Sequence, residues 1–152
     1  MSAPALLSPH FTLAELTTTQ QRNLDNTPGA DELANLSLLA NETLEPVRAL
    51  LGAMHVNSGF RSRAVNAAVG GVPTSQHCLG LACDFVPLSH GLVEAMDLIV
   101  GSWIVFDQLI YEFGSWVHVS HAPAGRAPRR QVLMIGKWTA NKYVAFNASK
   151  LS

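Results

Sequence analysis

The longest regular pattern in the chain is a stripe of apolar residues at helical spacing between Asp31 and Leu51. Apolar residues that recur every three or four positions cover one face of a helix, so the stripe predicts a helix packed on a core. Pro46 lies inside the stripe and has no backbone N–H, which predicts a kink or a split into two helices. The stripe comprises Leu33, Leu36, Leu39 or Ala40, Leu44, Val47, and Leu50 or Leu51.

Shorter patterns predict three further helices. Thr12 and Glu15 have the spacing of a capping box, which predicts a short helix over residues 11–16. Residues 62–69 precede two glycines and predict one or two helical turns. Apolar residues between Leu92 and Val100 predict about three turns of helix packed on a sheet.

Runs of apolar and β-branched residues predict the strands. The runs at residues 106–112 and 116–121 flank a Phe-Gly-Ser segment, which predicts a β-hairpin. Strands mixed with helices predict an α+β domain with a small antiparallel sheet and helices packed on one side of it. The other predicted strands are residues 54–57, 81–86 and 131–138, and the last dozen residues predict a weak strand or a tail.

Length and composition exclude several classes of protein. The 152 residues predict a single domain over residues 1–152, with its core at about 10–138. The net charge is −1, and basic residues cluster only at Arg126, Arg129 and Arg130, so we expect no nucleic-acid partner. No apolar run approaches the ~20 residues that span a bilayer, so we expect no membrane span. Residues 1–10 do not resemble a signal peptide, so we expect synthesis in the cytoplasm, and a monomer is the default.

Three residues form a candidate metal site: His77, Asp84 and His118. Two histidines and one aspartate make three zinc ligands, and a catalytic zinc leaves its fourth position to water. Gly80, between the first two, can adopt a backbone conformation closed to other residues. The same residues could instead be surface histidines and a capping aspartate, because a set without cysteine thiolates is less diagnostic.

Two cysteines, Cys78 and Cys83, lie in the same stretch. A disulfide between them would constrain the ligand loop, and without a signal peptide we expect free thiols in a reducing compartment. On a strand, Cys83 faces away from Asp84, which predicts that it packs in the core. A role of the cysteines as metal ligands is the alternative.

Several motifs in order resemble one family. Residues 75–84 carry the pattern Ser-x-His-x-x-Gly-x-Ala-x-Asp, and a strand with a further histidine follows. Residues 58–62 read Ser-Gly-Phe-Arg-Ser, which is similar to the family's Ser-Gly-Tyr-Arg-Ser segment, and Asn66 follows at a matching place. Over about residues 10–138, the chain resembles the zinc D-Ala-D-Ala carboxypeptidases, a family that also contains L-alanyl-D-glutamate endopeptidases of bacteriophages.

The resemblance implies a fold, a cofactor and a substrate. The fold would be of the Hedgehog/D-Ala-D-Ala-peptidase type, with Zn²⁺ held by His77, Asp84 and His118. Arg61 would bind or polarise the substrate carbonyl, and the partner would be the stem peptide of peptidoglycan. Zinc in such a site lowers the pKa of bound water towards ~7, which makes hydroxide available at neutral pH.

The proton-transferring carboxylate is where the chain departs from the family. Members usually carry Glu or Asp three residues before the last histidine, and here that position is Ser115. Glu112 is the replacement if residues 113–115 form a three-residue hairpin loop, because it then lies opposite Trp116 and faces the side of His118. A loop of only two residues would turn Glu112 away, and Asp107 is the fallback.

Three residues are candidates for supporting roles. Ser75 is expected to hydrogen-bond within the ligand loop, as groups behind metal ligands do. Trp116 shares the face of His118 and is either a pocket wall or part of the core. His121 has the opposite parity and is a supporting residue, a substrate-binding residue or a surface residue.

These observations give two functions of different classes. The first is a zinc peptidase that cuts a bond in peptidoglycan, with an endopeptidase of the endolysin type favoured over a D-Ala-D-Ala carboxypeptidase. An endolysin would accumulate in the cytoplasm and reach the wall once the membrane is breached. The second is a non-catalytic, zinc-stabilised wall-binding module, which the serine at position 115 would favour and a correctly placed Glu112 would oppose.

Overall fold

The computed structural model of the protein describes residues 5–151, and the expectation about a signal peptide falls partly on residues 1–4, outside this part. None of the helices in the described part has the length and hydropathy to cross a membrane. The α-helices are α1 (Leu13–Leu16), α2 (Ala30–Leu39), α3 (Glu45–Leu51), α4 (Arg63–Ala68) and α5 (Leu92–Val100). The strands are β1 (Leu6–Ser8), β2 (Phe11–Thr12), β3 (Met54–Ser58), β4 (Ala82–Pro87), β5 (Gln108–Glu112), β6 (Trp116–Ser120), β7 (Gln131–Ile135) and β8 (Val144–Ala145).

The predicted long helix is split near Pro46. A π-helical turn over Ala40–Leu44 joins α2 to α3, and Pro46 occupies the first turn of α3. A proline cannot donate to the preceding turn, and the wider π turn absorbs that missing hydrogen bond without ending the helix. The apolar stripe faces the core from Leu36 to Leu51 (1% exposed) as predicted, whereas Leu33 (39%) and Leu50 (38%) are at the surface.

Six strands form the main sheet, in the order β3-β4-β6-β5-β7-β8. All pairs are antiparallel except β5 with β7, which run parallel. The α+β class is therefore confirmed, but the sheet is mixed rather than purely antiparallel. The end of β6 lies beside the start of β5. The parallel pair arises because the chain then passes to the other edge of β5 and begins β7 there. A separate two-stranded sheet joins β1 to β2.

The two faces of the main sheet have different tasks. One face packs on the helices and supplies core residues that are almost completely buried. Side chains alternate along each strand, so the residues between the core residues point to the other face. That other face carries Asp84 and His118, whose positions pair across β4 and β6. The core side chains of the sheet include Cys83, Phe85, Leu109, Val117 and Val119, and those of the helices include Leu36, Leu44, Met96 and Ile99.

Several predicted boundaries shift in the structure. The run at residues 106–112 forms a strand only from Gln108, and Phe106 before it is buried beneath the guanidinium of Arg130. The predicted strand at residues 131–138 ends at Ile135, and Lys137–Thr139 form a 3₁₀ turn. The last dozen residues contain the short strand β8, in agreement with the predicted weak strand.

Gly80 is the residue that allows the ligand loop to lie against α2. It ends the 3₁₀ turn Gln76–Leu79 in the left-handed region, with φ of 76°. A Cβ at this position would lie 2.5 Å from the carbonyl oxygen of Glu32. Both the backbone conformation and the close approach therefore require glycine.

We predict that Gly80→Ala destabilises the protein more than Gly70→Ala does. Gly70 has the same φ of 76°, but a Cβ there would meet nothing within 4 Å. The control therefore carries only the left-handed strain, roughly 1–2 kcal/mol, and Gly80→Ala adds an overlap of about 1–3 kcal/mol. Urea unfolding of both variants measures the difference, and equal losses would contradict this account of the loop.

Candidate metal centre

Two elements of the sheet and one turn bring the three candidate ligands together. Asp84 on β4 lies directly opposite His118 on β6. His77 lies in the 3₁₀ turn that precedes β4, and the Ser75 hydroxyl caps this turn by accepting the backbone N–H of His77 at 3.2 Å. All three side chains are buried. The cluster is thus fixed by strand pairing on one side and by a capped turn on the other.

The distances suit a tetrahedral metal ion. Asp84 Oδ1 lies 2.9 Å from His118 Nδ1 and 3.2 Å from His77 Nε2. The ligand atoms of the three residues all lie within 4.8 Å of one another. Zinc bonds of about 2.0–2.2 Å at tetrahedral angles would place ligand atoms roughly 3.3 Å apart. Two imidazoles and a carboxylate in this arrangement could hold a zinc ion.

The backbone of the Ser-Gly-Phe-Arg segment orients His77. Its Nδ1–H donates to the carbonyl oxygen of Gly59 at 2.7 Å, which turns Nε2 towards the cluster, 3.2 Å from Asp84 Oδ1. A hydrogen bond of this kind fixes the tautomer of a metal-binding histidine. Gly59 is packed so closely that a Cβ would lie 2.4 Å from the carbonyl oxygen of Leu16.

Arg61 lies beside the cluster. Its Nη2 donates to Asp84 Oδ2 at 3.3 Å, and its Nε donates to the Ser58 hydroxyl at 3.1 Å. Burial alone would raise the pKa of Asp84, but His77 and His118 hold it well below its usual range through their charge and hydrogen bonds. Asp84 is therefore an anion with one oxygen towards the histidines and the other towards Arg61.

The hairpin places Glu112 on the side of His118. The loop between β5 and β6 has three residues, so Glu112 pairs with Trp116, and Ile110 pairs with His118. Glu112 Oε1 lies 3.7 Å from His118 Nδ1. Burial raises the pKa of Glu112 to about 7, with a further rise from the charge of Asp84 that His118 opposes. The register on which the sequence argument depended is the one that the structure shows.

Asp107, the fallback base, lies outside the cluster. Its carboxylate is fully buried and accepts hydrogen bonds from Arg126, Arg129 and Gln76. Burial would raise its pKa, but these donors hold it well below its usual range. A carboxylate engaged by two guanidinium groups is poorly suited to take a proton from water.

The remaining candidate residues have different surroundings. Trp116 lines the cavity over the cluster, and its indole N–H lies close enough to Glu112 to oppose the rise in the pKa of that carboxyl. His121 is turned away, with Nδ1–H donating to the Ala122 carbonyl and Nε2 lying 2.9 Å from a carboxylate oxygen of Glu42. Both cysteines are free and Cys83 is buried in the core, as predicted, and Cys78 is partly exposed.

A groove runs along the sheet on the Glu112 side of the cluster. The metal cavity, about 440 Å³, contains His77, Asp84 and His118 in its lining. A second cavity of about 400 Å³ adjoins it along β5 and β7 and is named here the β5–β7 groove. The two cavities share Val72, Ser75, Glu112, His118 and Tyr143. The groove is lined further by Thr74, Gln76, Gln108, Ile110, Arg129, Gln131 and Leu133.

Tyr143 is a residue of the site that was not predicted from the sequence. It lies just before β8 and lines both cavities. Partial burial raises its pKa, and the charges of Glu112 and Asp84 add to that rise. No signal in a single sequence marks this residue, because its place at the site depends on β7 and β8 joining the sheet.

Comparison with known families bears directly on this cluster. The sequence profile of the Peptidase M15 family matches residues 9–120. The chain belongs to the Peptidase M15 family. The resemblance to the zinc D-Ala-D-Ala carboxypeptidases is thereby confirmed, and membership indicates a metallopeptidase that acts on peptidoglycan. The matched region contains Arg61, the three clustered residues and Glu112, and it ends before Arg129 and Tyr143. No curated protein matches the chain.

We predict that the protein binds one zinc ion and that His118→Ala abolishes this binding. Loss of one of three ligands should weaken zinc affinity by more than the roughly 10- to 100-fold that follows loss of an outer hydrogen-bond partner. The matched control is His121→Ala, because that side chain lies outside the cluster. Zinc content after dialysis, measured by mass spectrometry of the metal, distinguishes the two variants. Equal zinc in both would exclude His118 as a ligand.

Proposed function

We propose that this protein is a zinc-dependent endopeptidase of the endolysin type, which hydrolyses a peptide bond in the stem peptide or cross-bridge of peptidoglycan. The observation that carries the proposal is the buried His77-Asp84-His118 cluster with Glu112 beside it, at the floor of a groove in a Peptidase M15 chain. Zinc, when bound there, supplies a Lewis acid that polarises a carbonyl and makes water a nucleophile near neutral pH.

Glu112 is the residue we assign to proton transfer. General acid–base catalysis of amide hydrolysis needs a carboxylate that takes a proton from the attacking water and delivers it to the leaving amine. Glu112 lies within 3.7 Å of His118 and lines the metal cavity. The family's usual position is Ser115, which is exposed and whose hydroxyl donates to the Phe113 carbonyl at 3.2 Å. The carboxylate therefore comes from β5 instead of from the loop before β6.

Arg61 is the residue we assign to the substrate carbonyl. Its guanidinium lines the metal cavity and contacts Asp84 with Nη2 only, and the weak contact of Nη1 with Asn66 is 3.5 Å long. Donors left over on a planar guanidinium can bind a carbonyl oxygen that gains charge in the transition state. Asp84 holds Arg61 at the edge of the cavity, where such an oxygen would lie.

The shape of the site supports endopeptidase action over carboxypeptidase action. A carboxypeptidase needs a closed end that receives a terminal carboxylate, whereas an endopeptidase needs a groove that continues on both sides of the cut bond. The β5–β7 groove adjoins the metal cavity on one side. A third cavity of about 470 Å³ also adjoins the metal cavity and shares Arg61 and Ser75 with it, so the metal cavity opens into two extensions. Three expectations stay predictions from the sequence: that the protein acts in cell lysis, that it is made in the cytoplasm and that it is a monomer.

We predict that the protein releases new amino termini from purified peptidoglycan and that a zinc chelator prevents the release. Mass spectrometry of the products identifies the bond from the residue that becomes amino-terminal. Free D-alanine as the product would indicate the carboxypeptidase instead. A folded, zinc-loaded sample that gives no product from several wall types would favour the non-catalytic binding module.

We also predict that Glu112→Gln lowers the rate of hydrolysis by about 10²- to 10⁴-fold, the usual contribution of a positioned acid–base group. Zinc content should be unchanged, because Glu112 is not among the three clustered ligands. The matched control is Glu94→Gln on α5, which removes an exposed carboxylate far from the cluster in sequence and on another element. Equal rates for Glu112→Gln and the unmodified protein would remove Glu112 from the mechanism.

A further inference from the structure

The far end of the β5–β7 groove carries an excess of positive charge. Asp107 is fully buried there and is shared by two guanidinium groups. Arg126 reaches it with two hydrogen bonds of 3.0 Å, and Arg129 reaches it through Nε at 3.1 Å and Nη2 at 2.8 Å. One carboxylate neutralises only one of the two cations. The unbalanced positive charge therefore stands at the surface of the protein.

Of the two paired arginines, Arg129 is the one that lines the groove. Its side chain is 49% exposed, although Asp107 holds it in place. Arg130, the next residue, is directed elsewhere, onto the ring of Phe106 and the carbonyl of Ser102. Arg129 is therefore a fixed cation that faces the groove, and a fixed cation loses less conformational entropy on binding an anion than a free side chain does.

Gln76 places a hydrogen-bond acceptor beside this cation. Its Nε2–H donates to Asp107 Oδ2 at 2.9 Å, the oxygen that Arg129 Nη2 also reaches. A carboxylate can only accept, so this contact fixes the amide with its oxygen turned away from Asp107. That oxygen is buried and has no partner among residues 5–151. Since Gln76 lines the groove, a ligand N–H could supply the partner.

The spacing fits a peptide that lies along the strands. Glu112 is the only acidic residue in the described lining, and it is at the end of the groove next to the cluster. Gln108, at the other end, is four residues away on the same strand, which corresponds to roughly 13 Å. An extended peptide covers that distance with about four residues. The candidate metal ligand His118 pairs with Ile110, two residues from Gln108, so the cation end of the groove lies roughly 7 Å, or about two residues, along the strand from the cluster.

We propose that the end of the β5–β7 groove formed by Gln76, Arg129 and Gln131 is a specificity subsite for a peptide residue with a free carboxylate next to an amide N–H. Arg129 binds the carboxylate, and Gln76 accepts the N–H. A γ-linked acidic residue has both groups on one Cα, whereas an α-linked one holds them farther apart. This inference rests on the proposed function, since it assumes that the groove holds the peptide substrate.

Gln131 offers a way to change the charge of this subsite without disturbing Asp107. Its side-chain oxygen accepts from Gln108 Nε2 at 2.8 Å, and the residue is exposed. Gln131→Glu keeps this acceptor and adds one negative charge, and Gln131→Lys adds a positive one. The matched control is Asn23→Asp, an equally conservative change at an exposed loop residue that does not line the groove.

The test compares two probes on the full-length, zinc-loaded protein with Glu112→Gln. The probes are L-alanyl-γ-D-glutamyl-L-lysinamide and the same peptide with the glutamyl carboxylate converted to an amide. Isothermal titration should show about two- to fivefold tighter binding of the acid, the range for partly exposed charge pairs. Gln131→Glu should reduce this preference, Gln131→Lys should increase it, and Asn23→Asp should leave it unchanged.

Equal binding of both probes, no binding of either at millimolar concentration, or a preference that ignores both changes at Gln131 would overturn the subsite. Failure of the proposed function has a different signature, namely no products from peptidoglycan in the chelator experiment. The two failures are therefore distinguishable, because binding and hydrolysis are measured separately.

Discussion

A carboxylate enclosed almost completely by protein, as Asp84 is at 4% exposure, is stable only when donors and cations surround it. Here one oxygen faces His77 and His118, and the other faces Arg61. Each of these three residues reaches Asp84 from a different part of the chain. Contacts with Asp84 therefore hold three parts of the chain together: the turn before β4, the strand β6 and the segment after β3. The geometry of the site follows from these contacts.

The second constraint is the register of one hairpin. A loop of three residues puts Glu112 and His118 on the same face of the sheet, and a loop of two would have put them on opposite faces. Phe113 and Gly114 both adopt positive φ, which lets the chain reverse within those three residues. The hairpin thus puts a carboxylate from β5 beside His118.

The sequence predicted the parts of the site that depend on local pattern. The capping box of α1, the strand that carries Asp84 and the alternation that puts Cys83 in the core all follow from spacing within a few residues. The β5–β7 groove was beyond such reasoning. It requires β7 to pair in parallel with β5, and a sequence pattern gives the existence of a strand but not its neighbour.

The same limit explains two other residues. Asp107 looked like a spare base because only its parity was visible, whereas its partners Arg126 and Arg129 come from a loop after β6. Tyr143 fell in the segment predicted to be a weak strand or a tail, and it reaches the site only because β8 continues the sheet. Long-range pairing therefore decided the roles that local pattern left open.

The pairing of β5 with β7 joins two parts of the chain that contribute different features to the site. The cluster and Glu112 come from residues before position 121, while β7, Arg129 and Tyr143 come from residues after it. Substitutions in the later part would change one wall of the groove without replacing any of the three clustered residues. The shape of the groove could therefore change by mutation while the residues in position to hold a metal stay the same.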